Sequence, residues 1–250
     1  MDSTIALVAI GAIAAGFVQG LSGFGFGMTA MSVWAWALEP RLAAALAVFG
    51  ALTGQIIAAL NLRRGFHWRA LLPFLLGGAI GVPLGVALLP QLDMQLFKAG
   101  LGTLLALWCP AMLAAGWLPR IRHGGRLADG VAGAIGGAMG GLGGFTGVIP
   151  TLWCTLRGWA KDEQRTIIQN FNLAALSVTM LIYLARGIVT AEMLPLFAIV
   201  APAMLLPTLL GARLYAGISE ASFRKLVLGL LTLSGVALLS SSLPVLIQRL

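Results

Sequence analysis

The sequence predicts an all-α polytopic membrane protein built as two inverted repeats, each a glycine-broken re-entrant helical hairpin followed by three transmembrane helices. Three observations lead to this. The 250 residues are 59% hydrophobic and 10% charged, and their apolar runs match the roughly 20 helical residues that span a hydrocarbon core of about 30 Å. Two glycine-rich stretches, GLSGFGFGM at 20–28 and GLGGFTGVI at 141–149, overlay at an offset of 121 positions. The lysines and arginines are distributed so that the positive-inside rule turns one copy upside down relative to the other.

In chain order, an apolar segment over 4–38 is too long for one upright helix and is interrupted by glycine. Ordinary spans follow at 41–61, 70–90 and 98–118. A loop from Pro119 to Asp129 joins the halves, and a second interrupted segment covers 130–158. Spans at 163–185, 191–213 and 226–247 complete the chain. RRGFHWRALLP at 63–73 lies over ARGIVTAEMLP at 185–195, and Phe97-Lys98 over Phe223-Arg224, which extends the duplication almost to the end. The expected organisation is one membrane domain over 1–250, with repeat 1 at 1–118, a linker at 119–129 and repeat 2 at 130–250. The N-terminal stretch has Asp2 where a secretory signal has a positive n-region, and its place in the repeat also argues against a cleaved peptide.

Orientation follows from the basic loops. Arg63, Arg64 and Arg69 follow the first ordinary span, whereas in the second half the rich loops hold Arg157, Lys161 and Arg165, then Arg213, Arg224 and Lys225. With Arg120, Arg122 and Arg126 of the joining loop in the cytoplasm, every rich loop is inside if each broken segment enters and leaves on one side. Both termini are then outside. The competing arrangement is a plain eight-span bundle with parallel repeats.

The formal charge of +8 lies between apolar runs rather than in a stripe with aromatics, so it reads as topology and not as nucleic-acid binding. Cys109 and Cys154 lack metal or redox spacing and read as packing residues. No cofactor or metal is expected.

Irregular backbone at membrane depth survives only where protein or a polar cavity surrounds it. The paired breaks are therefore expected to meet inside. Glycine permits tight reversals and leaves N–H groups uncovered, and the half-helix after each break, starting near Met28 and near Ile149-Pro150, offers a partly positive end to an anion. Paired breaks in corresponding positions of two repeats mark a transporter's substrate site. Glycines four apart, Gly16 and Gly20 or Gly133, Gly137 and Gly141, read instead as helix-packing positions.

The candidate substrate-binding residues are Gln19, Ser22, Gly23, Phe24, Gly25 and Gly27 at the first break, Gly143, Gly144, Phe145, Thr146 and Gly147 at the second, and Asn172. Asn172 serves equally well as an interhelical hydrogen-bonding residue. Thr29, Thr53, Gln55, Thr151, Gln169 and Asn170 are further polar candidates, and Trp34 and Trp153 are candidate walls. Trp36, Trp68, Trp117 and Trp159 read as interfacial aromatics.

The duplicated GLSGFGFG and GGLGGFTGVIP segments, the LP-ending segment after the second element and the chain size resemble the sulfite exporter TauE/SafE family, also called the TSUP family of membrane permeases. That resemblance implies export of sulfite or organosulfonates such as sulfoacetate across a bacterial inner membrane, with a small anionic substrate and the bilayer as partners and a homodimer as a plausible assembly. Two rivals are weaker. Gly20-Leu21-Ser22-Gly23 spells the GxSG of intramembrane serine proteases, but the histidines, His67 and His123, fall in basic loops. A cation channel wants acids at depth, and every Asp and Glu reads as a loop or span-end residue.

Overall fold

A computed structural model describes residues 2–61, 65, 67–115, 120–121, 124–214 and 220–248. Arg63, Arg64, Trp117, Arg122 and His123 lie outside the described residues. The described chain is helical: α1 (Asp2–Ser22), α2 (Phe26–Trp34), α3 (Pro40–Asn61), α4 (Trp68–Leu88), α5 (Met94–Ala114), α6 (Gly125–Gly143), α7 (Val148–Leu156), α8 (Lys161–Ala185), α9 (Leu194–Leu214) and α10 (Glu220–Ile247). Seven of these, α1, α3, α4, α5, α8, α9 and α10, are long and apolar enough to cross a membrane.

The six ordinary spans fall on α3, α4, α5, α8, α9 and α10. Each interrupted segment is a long helix followed by a short one of nine residues. The first helix is longer than the sequence suggests: α1 runs unbroken through Gly11, Gly16 and Gly20, and the chain turns only at Ser22–Gly25. Gly23 and Gly25 have φ of 75° and 101°, a left-handed backbone that favours glycine. After the turn α2 runs back along α1, so that the Trp34 indole donates to the Leu7 carbonyl at 3.3 Å.

The second hairpin repeats this. Helix α6 begins at Gly125, inside the stretch read from sequence as linker, and ends on Gly144 at φ 78°. Helix α7 returns along it until the Trp153 indole donates to Asp129 Oδ1 at 2.7 Å, with Arg157 3.6 Å from the same oxygen. Asp129, read as a span-end acid, is therefore buried, and ties the hairpin closed. Trp34 and Trp153 clamp their hairpins instead of walling a cavity. Trp159 packs edge-on against Phe74 and faces Arg157, whereas Trp36 and Trp68 are exposed as an interfacial position requires. Pro150 is the third residue of α7, not the first.

The hairpins are crossed into each other's halves. Helix α1 packs on α9, α4 packs on α6, and α5 pairs with α10. The glycines allow the two seams made by the hairpins, α1–α9 and α4–α6, to close at backbone contact. A methyl group built on Gly77, Gly81 or Gly85 would fall on the carbonyl oxygen of Gly130, Ala134 or Ala138, and one on Gly16 would lie 2.7 Å from the Met204 oxygen. Leu76, Ile80 and Leu84, on the opposite face of α4, are exposed as a lipid-facing surface would be. At the centre, α3 and α8 run antiparallel. Gly65 lies against the first half of α8, where Asn170 Nδ2 donates to its carbonyl at 3.2 Å.

Candidate functional site

The two breaks meet. A methyl group on Gly27 would lie 2.8 Å from the Gly144 oxygen and 3.1 Å from that of Gly143, so the first residues of α2 sit directly against the turn before α7. Between them is a small cavity lined by residues of both breaks.

Of the twelve candidate residues, nine line this cavity: Gln19, Phe24, Gly25, Gly27, Gly144, Phe145, Thr146, Gly147 and Asn172. Ser22, Gly23 and Gly143 do not. The Ser22 hydroxyl closes the turn, lying 2.7 Å from the Val18 carbonyl and against that of Phe24 while receiving the Phe24 N–H at 3.3 Å. Among the described residues no histidine holds it, and His67 is exposed in the loop before α4. Gly23 instead accepts Gln55 Nε2 on its carbonyl at 2.8 Å and packs on Gln169. Gly143 packs against Phe145 and Met31.

Among the remaining polar candidates, Gln55 lines the cavity. Asn170 turns away to Gly65, and the Thr53 hydroxyl donates within its own helix to Phe49. Thr29, Thr151 and Gln169 are buried outside the lining.

The lining repeats the duplication. Positions 121 apart share the cavity in pairs, Phe24 with Phe145, Ala51 with Asn172 and Gln55 with Leu176. Supporting contacts follow the same offset: Gly23 packs on Gln169 and Gly144 on Val48. In the last two pairs one member is polar and the other apolar, which gives a polar cavity whose two halves are not chemically identical.

The donors are mostly backbone. Gln19 Oε1 accepts the Phe26 N–H at 3.2 Å, bracing the start of α2. The N–H groups of Gly27, Met28 and Gly147 receive no acceptor among the described residues. Two buried amide atoms are also unpartnered, Gln19 Nε2 and Asn172 Oδ1, on residues 3% and 2% exposed. An unmatched buried polar atom costs free energy unless a ligand or water completes it. Among the described residues no charged side chain lines the cavity.

Two residues not singled out in the sequence complete the surroundings. Trp108 of α5 donates its indole N–H to the Val148 carbonyl at 2.8 Å and meets the Phe24 ring edge-on at 6.3 Å, gripping both breaks at once. Arg165 of α8, read only as a topology signal, brings Nε to 4.0 Å from a methyl group built on Gly23. The two sides of the cavity differ in access. Ser22 is exposed and Phe24 and Gly25 are half-buried, whereas Gly143, Phe145 and Thr146 are buried.

Among the described residues no group of His, Cys, Asp and Glu is placed to hold a metal ion. Cys109 and Cys154 are buried and unpaired with each other. Compared with known families, residues 7–238 match the family model described as Sulfite exporter TauE/SafE. No curated protein and no solved structure gave a significant match.

Proposed function

The chain belongs to the sulfite exporter TauE/SafE family, a family of membrane transporters, and from that premise we propose that it carries small sulfur-containing anions, sulfite or an organosulfonate, outward across the bacterial inner membrane through the cavity between the two breaks. The observation that carries this reading is the convergence of both half-helix starts on one buried space that has unpartnered N–H groups and no charged side chain. Helix starts hold an anion by their free N–H groups and partial positive charge.

The proposed topology is that of inverted repeats with re-entrant hairpins and both termini outside. It is supported by the antiparallel run of α3 and α8, by the crossed pairs α1–α9 and α4–α6, and by return helices that come back to the beginning of their own hairpins. In this topology the exposed turn at Ser22–Gly25 faces the cytoplasm, and the buried turn at Gly143–Thr146 closes the outer side. The structure is then read as a cytoplasm-open state, and Arg165 stands at its rim. Labelling tests this: cysteines at His67 and Asp162, both exposed, are expected to react with an impermeant reagent from the cytoplasmic side only. Labelling from opposite sides would refute the inverted arrangement.

Among the described residues no carboxylate lines the cavity, and the proposed export is driven by the membrane potential rather than by a proton relay. A cell-negative potential of 100 mV drives each negative charge outward with about 2.3 kcal/mol. Transport of an alkanesulfonate into proteoliposomes should follow an imposed potential and reverse with its sign. Dependence on a pH gradient with indifference to potential would rule out potential-driven efflux.

A further inference from the structure

We propose that Gln55 is the positioning residue through which an anion in the cavity controls the turn at Ser22–Gly25: its amide holds that turn exposed, and an anion that takes the amide N–H releases the turn to fold over the mouth. This rests on the anion-site and cytoplasm-open readings above. Gln55 stands on α3, lines the cavity and is buried. Its Nε2 donates to the Gly23 carbonyl at 2.8 Å. A carbonyl only accepts, so this contact fixes which way the amide faces.

The turn is built to move as one piece. Gly23 and Gly25 hold φ of 75° and 101° on either side of Phe24, and the Gly23 N–H returns to the Gln19 carbonyl at 2.8 Å. The Ser22 hydroxyl joins Val18 to Phe24. A shift at Gly23 therefore carries Phe24, which lines the cavity. Gln19 also reaches from the lining to the start of α2, but it belongs to the same hairpin. Gln55 ties the turn to a different helix.

An ionised acceptor makes a hydrogen bond roughly twice as strong as a neutral one. An anion inside the cavity therefore outcompetes the Gly23 carbonyl for the Gln55 donor. Gly23 is itself buried, and a buried carbonyl stripped of its donor destabilises the position it occupies. Binding thus removes what keeps the turn in place.

The second repeat has no such link. Leu176 stands 121 positions after Gln55, lines the same cavity and has nothing to donate. The second hairpin is held instead by the Tyr183 hydroxyl on the Gly141 carbonyl and the Trp108 indole on the Val148 carbonyl, each at 2.8 Å. Neither Tyr183 nor Trp108 lines the cavity, so an anion there does not compete for their donors. Loading acts on the cytoplasmic turn alone.

The test reads the turn directly, through Ser22→Cys in the purified full-length protein. Ser22 is exposed and does not line the cavity, so a bound anion does not itself cover it, and a thiol keeps a weak donor there. Reaction with a maleimide is followed at that position by mass spectrometry. Saturating methanesulfonate is expected to slow it about fivefold, at the low end of coupling between a ligand and a conformational change. Gln55→Leu installs the side chain that the second repeat has at this place. With it, reaction at position 22 is expected to be slow already without methanesulfonate and unchanged by it. Gln55→Met, of similar length and without a donor, should behave the same way and stands in where Gln55→Leu does not fold. A merely structural loss would loosen the turn and speed the reaction.

Faster or parent-like reaction in folded Gln55→Leu or Gln55→Met would overturn the proposal, as would an unchanged rate in a parent that methanesulfonate still stabilises against heat. The anion site would stand in both cases. Absence of both heat stabilisation and slowing in the parent would overturn the anion site together with the proposal.

Discussion

Gly27→Leu is expected to abolish measurable binding of sulfite and methanesulfonate. The position has no room for a side chain, because the first carbon would stand 2.8 Å from the Gly144 oxygen and 3.1 Å from the Gly143 oxygen, both on the facing turn. A leucine there either parts the two breaks or fills the cavity between them. Gly25→Leu and Gly144→Leu should act by a different route. Their first carbons have ordinary contacts at 3.4 Å, but their φ values of 101° and 78° lie where a side chain is strained. About 2 kcal/mol of backbone strain or displacement would weaken binding by roughly thirtyfold. Gly100→Ala, with nothing within 4 Å of the new methyl group, is the matched control. The assay is ligand-induced thermal stabilisation of protein that purifies folded. Undiminished binding by Gly27→Leu would place the anion elsewhere.

The largest stability effect is expected at Gly81. Its neighbours on α6 are backbone atoms, with the Ala134 carbonyl where a methyl group would go and the Ala138 nitrogen 2.9 Å away. Overpacking against flexible side chains costs about 1–3 kcal/mol. Here no rotamer relieves the clash, so the α4–α6 seam has to open along its length. Gly81→Leu should lower Tm by roughly 10 °C or fail to fold, whereas Gly229→Ala, which meets nothing within 4 Å, should melt with the parent. A Gly81→Leu protein of unchanged Tm would mean that α4 and α6 do not touch as described. Gly16 belongs with Gly81, since its methyl group would press on the Met204 backbone of α9.

The six ordinary spans were legible because continuous apolar runs are a local signal that membrane thickness converts directly into helix length. The breaks were legible because they occur twice. Their extent was not. The glycines at 11, 16 and 20 resemble those at 23 and 25 in sequence, yet the former are helical and mark close approach of α9 and α2, while only the latter have positive φ. Composition does not separate a glycine that turns from one that makes room. Trp108 escaped notice because its partner, Val148, is 40 positions away and nothing near it is unusual. Ser22 closes its turn through its hydroxyl, a role that a hydroxyl beside a break takes as readily as it binds a ligand and that composition does not distinguish. Asn172 was visible only as a polar residue in a span, and its neighbours at the cavity depend on how the two halves fold together.

The crossed seams have a consequence for how such a protein can be assembled. Since α1 rests on α9 and α6 on α4, the long helix of each hairpin packs most extensively on the other half, and each half alone lacks the partner against which its glycine ridge closes. The halves therefore behave as two subunits that share one chain. Severed at residues 120–124, in the joining loop, and made as separate polypeptides, they should recover function only when present together in opposite orientations. An ancestor of half the length would have had to insert both ways round in the same bilayer and find its own inverted copy. Duplication and fusion would have made that encounter permanent, and freed the paired positions at the cavity, Gln55 against Leu176 and Asn172 against Ala51, to diverge.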